Sequence, residues 1–316
     1  MIISKNKSMK SNNLKPYIFI SIAIVCWGLS STFIELGLNS MHFAPFLFYR
    51  FSISMIILTP LIIIKKRRQT AILFKNKIVW FIGIFESLGL IFQYIGQELQ
   101  IPAGLTTLIT IMYAIMVPFF SYIFLKQRLK LYHLVAVLTG FIGIFFIISE
   151  GDLNFLKQGS LSLIGILMLI AAAGFFGLYI TFTSYIQKST DNKIDSISLF
   201  YVMLVIVTLF SVLSMIITGI YVLPSKDTWI WLFNLIIFST IIAFYMYFIS
   251  MKTISANQVS LLLLLQVIIP FIIDIFLFGR NYHLFVLIGS IILFVSILFS
   301  TLISNLSKEL DTSSIG

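Results

Sequence analysis

The chain is poor in charge, in cysteine and in histidine. Only 10% of its 316 residues are charged, against roughly 25% in an average soluble domain. Hydrophobic residues make up 59%, and the mean hydropathy is +1.08. A water-soluble globule of this composition would expose a large sticky patch. A soluble enzyme, a nucleic-acid binder and a disordered chain are thereby excluded. A single cysteine, Cys26, excludes an intrachain disulfide and a cysteine metal cluster. It sits in an apolar run and is expected as a small buried packing residue. The three histidines, His42, His133 and His283, fall at the ends of apolar runs and are expected at the membrane interface. There is no phosphate loop, no Gly-x-Gly-x-x-Gly and no His-Glu-x-x-His. No metal site and no cofactor are expected, and without an ATP site any energy must come from a gradient or from a substrate's own concentration difference.

What the chain has is long apolar runs. A membrane helix needs roughly 20 mostly apolar residues to cross about 30 Å. Ten such runs lie at about 16–38, 43–64, 78–98, 102–125, 131–149, 161–185, 196–219, 229–250, 256–278 and 283–303. The connections are short, leaving no room for a soluble domain, and the last dozen residues read as a floppy tail. Lys5, Lys7, Lys10 and Lys15 precede the first run. That run is too long for a signal-peptide core and lacks a small-residue cleavage site, so it reads as a retained helix.

Basic residues set the orientation. With the N-terminus inside, the inner segments hold 17 Lys and Arg and the outer segments 3, namely Lys157, Lys226 and Arg280. The largest inner group is Lys65, Lys66, Arg67, Arg68, Lys75 and Lys77. Both termini are therefore expected in the cytoplasm, with the chain in the cytoplasmic membrane.

The halves resemble each other. Ala103–Leu108 aligns with Ala256–Leu261 at an offset of 153, which also places Tyr94 on Tyr247. Pro118 and Pro270 correspond within one residue. Each half holds five runs, so the second half enters the membrane from the opposite side. The expected fold is an all-α polytopic membrane protein of ten transmembrane helices. It forms two inverted five-helix repeats, 16–149 and 161–303, with a cavity between them.

Several segments are similar to a known pattern. The first run has Trp27-Gly28-Leu29-Ser30-Ser31-Thr32-Phe33, and the second has Pro45, Tyr49-Arg50-Phe51 and Thr59-Pro60. Pro118 is followed by Phe124-Leu125-Lys126-Gln127-Arg128-Leu129; later come Phe176-Gly177-Leu178-Tyr179 and Ser239-Thr240-Ile241-Ile242-Ala243-Phe244-Tyr245. In order and spacing these resemble the EamA-type, ten-helix branch of the drug/metabolite transporter superfamily. Two positions depart from it: Gln127 and Arg280 stand where the family usually carries an acid after Leu-Gly. The resemblance implies a carrier or exporter of small metabolites, with runs 1, 3, 4, 6, 8 and 9 around a central cavity.

Charge inside a bilayer is costly, so intramembrane ionisable residues are functional candidates. Glu35, Arg50, Glu86 and Asp274 qualify, while Glu98 ends its run among the headgroups. Arg50 lies roughly 10 Å below the outer end of its run and Glu86 roughly 12 Å from the inner end. In a core about 30 Å thick that leaves roughly 8 Å between their depths. Arg50 suits a snorkelling or helix-tying residue as well as a site for a substrate carboxylate. Glu86 shares its helix face with Gly83, Leu90, Gln93 and Gln97, and small and polar residues on one side of a membrane helix face protein or water. Comparable stripes are Thr106, Thr110, Tyr113, Val117 and Ser121; Ser260, Leu263, Gln266, Pro270 and Asp274; and Gly28, Ser31 and Glu35. Two shorter ones are Ser239, Ala243 and Tyr247, and Ala172, Phe176 and Tyr179. Each stripe could be a packing seam, though Glu, Gln and Tyr suit a dry seam poorly.

The candidate cavity residues are Trp27, Ser31, Arg50, Glu86, Gln93, Thr110, Tyr113, Phe176, Tyr179, Tyr247 and Gln266. Proton-coupling candidates are Glu35, Glu86 and Asp274. Aromatic faces beside a few polar groups suit a small amphipathic metabolite, such as an amino acid or an aromatic or heterocyclic derivative. The expected function is alternating-access transport, with a small-molecule substrate, the lipid bilayer and no nucleic acid as partners. A polytopic membrane enzyme acting on lipid is the alternative, but it would gather a nucleophile and base near one interface. A non-transporting subunit of a membrane complex is a further one.

Overall fold

A computed structural model describes residues 14–126, 130–150, 162–189, 194–251, 253 and 262–313, and among these there are helices and no strands. The first half holds α1 (Lys15–Leu38), α2 (Phe43–Lys65), α3 (Arg67–Phe74), α4 (Lys77–Glu98), α5 (Ala103–Thr110), α6 (Tyr113–Leu125) and α7 (Leu131–Ser149). The second holds α8 (Leu163–Ser189), α9 (Ser196–Thr218), α10 (Lys226–Asn234), α11 (Ala243–Ser250), α12 (Ile268–Phe276) and α13 (Leu284–Ser313). Seven helical segments are long and apolar enough to cross a membrane, and shorter apolar helices lie at Leu131–Ile147, Leu264–Phe276 and Leu284–Ser300. This is a multi-pass membrane protein.

Local chemistry sets the helix ends. Asn76 Oδ1 accepts from the Ile78 N–H at 2.9 Å, capping α4, and Asp195 and Ser225 cap α9 and α10 in the same manner. Gly219, at φ 65°, ends α9 in the left-handed conformation that glycine adopts without a Cβ clash. His42 caps α2, consistent with an interfacial position, but His133, in the first turn of α7, is buried.

Burial is inverted relative to a soluble protein. Ile64 is 78% exposed and Ile217 75%, whereas Arg50 is 2%, Glu86 3% and Asp274 0% exposed. Apolar side chains face outward because lipid is their solvent, and ionisable ones turn inward. Cys26 is buried, as its apolar setting predicts.

The helices pair in a reciprocal pattern. α4 packs along α8, and α1 packs along α10, α11 and the segment joining them. α2 lies against α9, α7 against α13, and α5 against α12. The α7–α13 contact is a backbone approach: a Cβ on Gly143 would stand 2.7 Å from the Gly289 carbonyl oxygen. Only small residues permit such proximity in a membrane bundle.

Three segments differ from the uninterrupted helices that apolar runs predict. The run at 102–125 breaks at Ile111–Met112 into α5 and α6. Leu264–Val267, leading into α12, is a 3₁₀ turn. Ile111 and Leu264 are 153 residues apart, the offset that aligns the halves. Between α10 and α11, Leu235–Ile242 winds as a π-helix, a form that gathers at functional sites. The basic connection at 65–77 carries the short helix α3. The tail expected after residue 303 is helical as far as Ser313, because the polar end extends an already formed helix. Ala256–Leu261, with Ser260, lies outside the described residues. So do Lys5, Lys7, Lys10, Gln127, Arg128, Lys157, Lys193 and Lys252.

Candidate functional site

A cavity of about 120 Å³ lies between the halves. Its wall includes Trp27 and Ser31 of α1, Arg50 of α2, Glu86 and Gln93 of α4, and Thr110 and Tyr113 flanking the α5–α6 break. Across from them stand Phe176 and Tyr179 of α8, Tyr247 of α11 and Gln266 of the 3₁₀ turn. All eleven cavity candidates from the sequence border this one space. Ser30, Ile34, Leu90, Thr107, Ile180, Phe244 and Leu263 complete the wall.

The polar groups divide into bonded and unbonded. Arg50 is tied down: its Nε donates to Thr240 Oγ1 at 2.9 Å and one terminal nitrogen donates to the Tyr94 hydroxyl at 2.6 Å. Its guanidinium also stacks 4.9 Å from the Phe51 ring centroid. Arg50 thus joins α2, α4 and the π-helical segment, and Tyr94 rather than Glu86 is its hydrogen-bond partner on α4. The Trp27 indole donates to the Ser239 carbonyl at 3.1 Å, and the Ser239 hydroxyl returns a bond to the Cys26 carbonyl at 3.1 Å. The π-helical turn therefore places Ser239 against α1 and Thr240 against α2. Ser31 is held by Thr107 Oγ1 at 2.7 Å and by Gln97, which donates to its carbonyl at 2.8 Å.

Glu86 is different. Its Oε2 is buried without a hydrogen-bond partner among the described residues, as is the Tyr179 hydroxyl. Tyr113 and Gln266, also 153 residues apart, both border the cavity. Glu86, Tyr113, Tyr179 and Tyr247 are close enough to interact electrostatically. Trp27 packs 5.2 Å from both Phe244 and Tyr247 by ring centroids, the edge-on and tilted contacts aromatic rings favour. The result is an aromatic chamber with a free carboxylate and a braced guanidinium. The described residues contain no group of three or more His, Cys, Asp or Glu able to hold a metal ion.

The other two proton-coupling candidates lie elsewhere. Glu35 and Asp274 sit beyond the cavity with Arg280, which bonds to both Glu35 oxygens and to Asp274 Oδ1. Nothing near Arg280 in the chain marks its role, because its partners come from α1 and α12. Tyr94 and Thr240 were equally hidden: the repeat alignment marks Tyr94, but not what it bonds. On α5 the wall uses Thr107 rather than Thr106, whose hydroxyl donates to the Ile101 carbonyl just before the helix at 3.3 Å.

The EamA-like transporter family model matches residues 14–149 and again 163–302. The chain belongs to the EamA-like transporter family. The match is consistent with the drug/metabolite transporter superfamily, and members of this family are membrane transporters of small molecules rather than enzymes. No curated protein matches the chain. One crystal structure, whose description names no function, superposes with a TM-score of 0.63 at 16% identity, covering 92% of this chain and 97% of that one. At that identity the likeness shows a shared fold and nothing about substrate. This EamA-like transporter therefore has its substrate class argued from its own cavity.

Proposed function

We propose that this protein is a secondary carrier of a small amphipathic metabolite, an amino acid or an aromatic or heterocyclic derivative, working by alternating access. The observation that carries the proposal is Glu86: an unbonded buried carboxylate facing an aromatic-walled cavity that also holds Arg50. A burial this costly persists when a ligand or proton completes it. An ammonium group or a proton is the natural counterpart of Glu86, and Arg50 offers its unspent donors to a carboxylate. The rings of Trp27, Phe176, Tyr179 and Tyr247 supply apolar contact. At about 120 Å³ the closed cavity is a little smaller than the roughly 150 Å³ cavity that holds benzene, so a ring-bearing solute would enter as the cavity opens.

In this proposal ten helices cross the cytoplasmic membrane, with both termini inside. They form two inverted repeats, 16–149 and 161–303. The reciprocal pairing of α1 with α10–α11 and α4 with α8, and the interruptions 153 residues apart, support it. Interrupted helices at corresponding positions of two repeats are where such carriers bind substrate. Proton coupling at Glu86 is part of the proposal.

A metabolite-resolved screen of uptake and efflux in reconstituted vesicles tests it. We expect accumulation of one or a few amine-bearing or aromatic solutes, lost on Trp27→Ala. Electrogenic flux of an inorganic ion with no organic solute moved would overturn the proposal.

A further inference from the structure

Three charged side chains gather at the end of the bundle beyond the cavity, and the segments that carry or meet them also reach the cavity wall, α1 and α5 directly and α12 through the 3₁₀ turn that leads into it. Glu35 follows Ser31 on α1 by four residues. Ala103 and Gly104 open α5, one turn before Thr107. Asp274 lies eight residues past Gln266. At 1.5 Å per residue these intervals are roughly 6–12 Å. Arg280, in the connection between α12 and α13, spans the group. It pairs with Glu35 through two nitrogens and with Asp274 at 2.5 Å. The remaining acceptors are filled as well: Ala103 N–H donates to Glu35 at 2.9 Å, Gly104 N–H to Asp274 at 2.8 Å, and the Tyr282 hydroxyl to Asp274 at 2.6 Å.

We propose that Glu35, Arg280 and Asp274 form an ionic latch that holds this end of the cavity shut, and that only this end has one. The latch crosses between the halves: Glu35 and α5 belong to the first, Asp274 and Arg280 to the second. Opening this end moves one half from the other and must break these bonds. Breaking one partner from a buried pair leaves an uncompensated charge, which is the costly outcome.

The one-sidedness comes from the repeat itself. The residue 153 before Asp274 is Ser121, and the residue 153 before Arg280 is Gln127. Aligning Gly28-Leu29 with Gly177-Leu178 places Glu35 on Ser184. All three counterparts are uncharged, so the repeat does not duplicate this set of three charges at the related end. The ion pair at that opposite end, Lys66 with Asp195 at 2.7 Å, joins the α2–α3 connection to the start of α9, away from the cavity wall. Two repeats that exchange shapes would otherwise close either end equally well. With the latch on one side, the substrate-free carrier rests closed at the Arg280 end, and opening there is the step the latch controls. Arg280 is thus a positioning residue: it touches no substrate and sets which side the cavity faces.

The latch rests on the carrier proposal, but its test needs no substrate. Gln93 is replaced by cysteine in a Cys26→Ala background, giving one thiol on the cavity wall. Reconstituted vesicles of both orientations are treated with a membrane-impermeant thiol reagent. We expect Arg280→Gln to raise the labelling rate from the Arg280 face by at least about tenfold, with the rate from the opposite face falling, as a population shift requires. Arg280→Lys, which keeps one charge but loses the fork, should fall between. If Arg280→Gln does not fold, Glu35→Gln should give a smaller rise of the same one-sided kind. Unchanged labelling, or an equal rise from both faces, overturns the latch. A wild-type protein that exchanges no organic solute overturns the carrier proposal and leaves the labelling result standing on its own.

Discussion

Arg50 donates to the hydroxyl of Tyr94 at 2.6 Å, deep in the bundle, and leaves Glu86 Oε2 without a hydrogen-bond partner among the described residues. The pair divides labour. Tyr94 and Thr240 anchor the cation, and the anion stays available to the cavity. Tyr94→Phe removes the anchor and keeps the ring. It should cost about 1–3 kcal/mol, the price of leaving a buried charged donor unpaired. A thermal melt of the detergent-purified protein would read this as a lowered midpoint. An unchanged midpoint would mean that Arg50 is not held by Tyr94.

Asp195 does two jobs at the start of α9. It caps the helix through the Ser198 N–H at 3.0 Å and pairs with Lys66 at 2.7 Å. Burial raises its pKa, but the bonds from Lys66 and Ser198 outweigh that and hold the carboxyl below its ordinary value of 3.8. A depressed carboxylate contributes stability above the unfolded value, and the contribution is lost as pH falls through the folded one. Asp195→Asn keeps the cap and loses the ion pair. For this partly exposed pair the cost should be under about 1 kcal/mol at neutral pH, decline once pH falls past the ordinary value of 3.8, and disappear below the lowered folded value. Asp195→Ala loses both and should cost about 1 kcal/mol more. Melts of both variants across pH would show a fixed gap if the ion pair contributed nothing.

How much was legible in the sequence depended on how local the signal was. The apolar runs located the helices because a bilayer demands unbroken hydrophobic length. Helical spacing carried face information, so Glu86, Gln93, Tyr179 and Gln266 could be assigned to one side and do border one cavity. The break at Ile111–Met112 was not legible, since Ile and Met mark no helix end. Nor was the meeting of Arg280 with Glu35, 245 residues away in sequence. Its position at the end of an apolar run suggested only a rim charge.

Topology follows from the basic residues and can be read directly. Reporter fusions after Lys77 and Lys130 should report the cytoplasm, and fusions within 150–160 the outside. An external 65–77 connection would reverse the proposed orientation and the side assigned to Arg280.

The most direct test of the central claim is Glu86→Gln in vesicles that accumulate the transported solute. The substitution keeps shape and hydrogen bonding but neither titrates nor attracts an ammonium. If Glu86 carries the proton, gradient-driven accumulation should be lost while exchange at equal concentrations on both sides survives. If it holds the substrate amine, both should fall together by roughly tenfold or more, as expected for a charged bond worth about 1.5–3 kcal/mol. Wild-type accumulation, wild-type exchange and an unchanged melting midpoint in Glu86→Gln would contradict the account, because a buried, unbonded carboxylate in the cavity would then have no function to explain it.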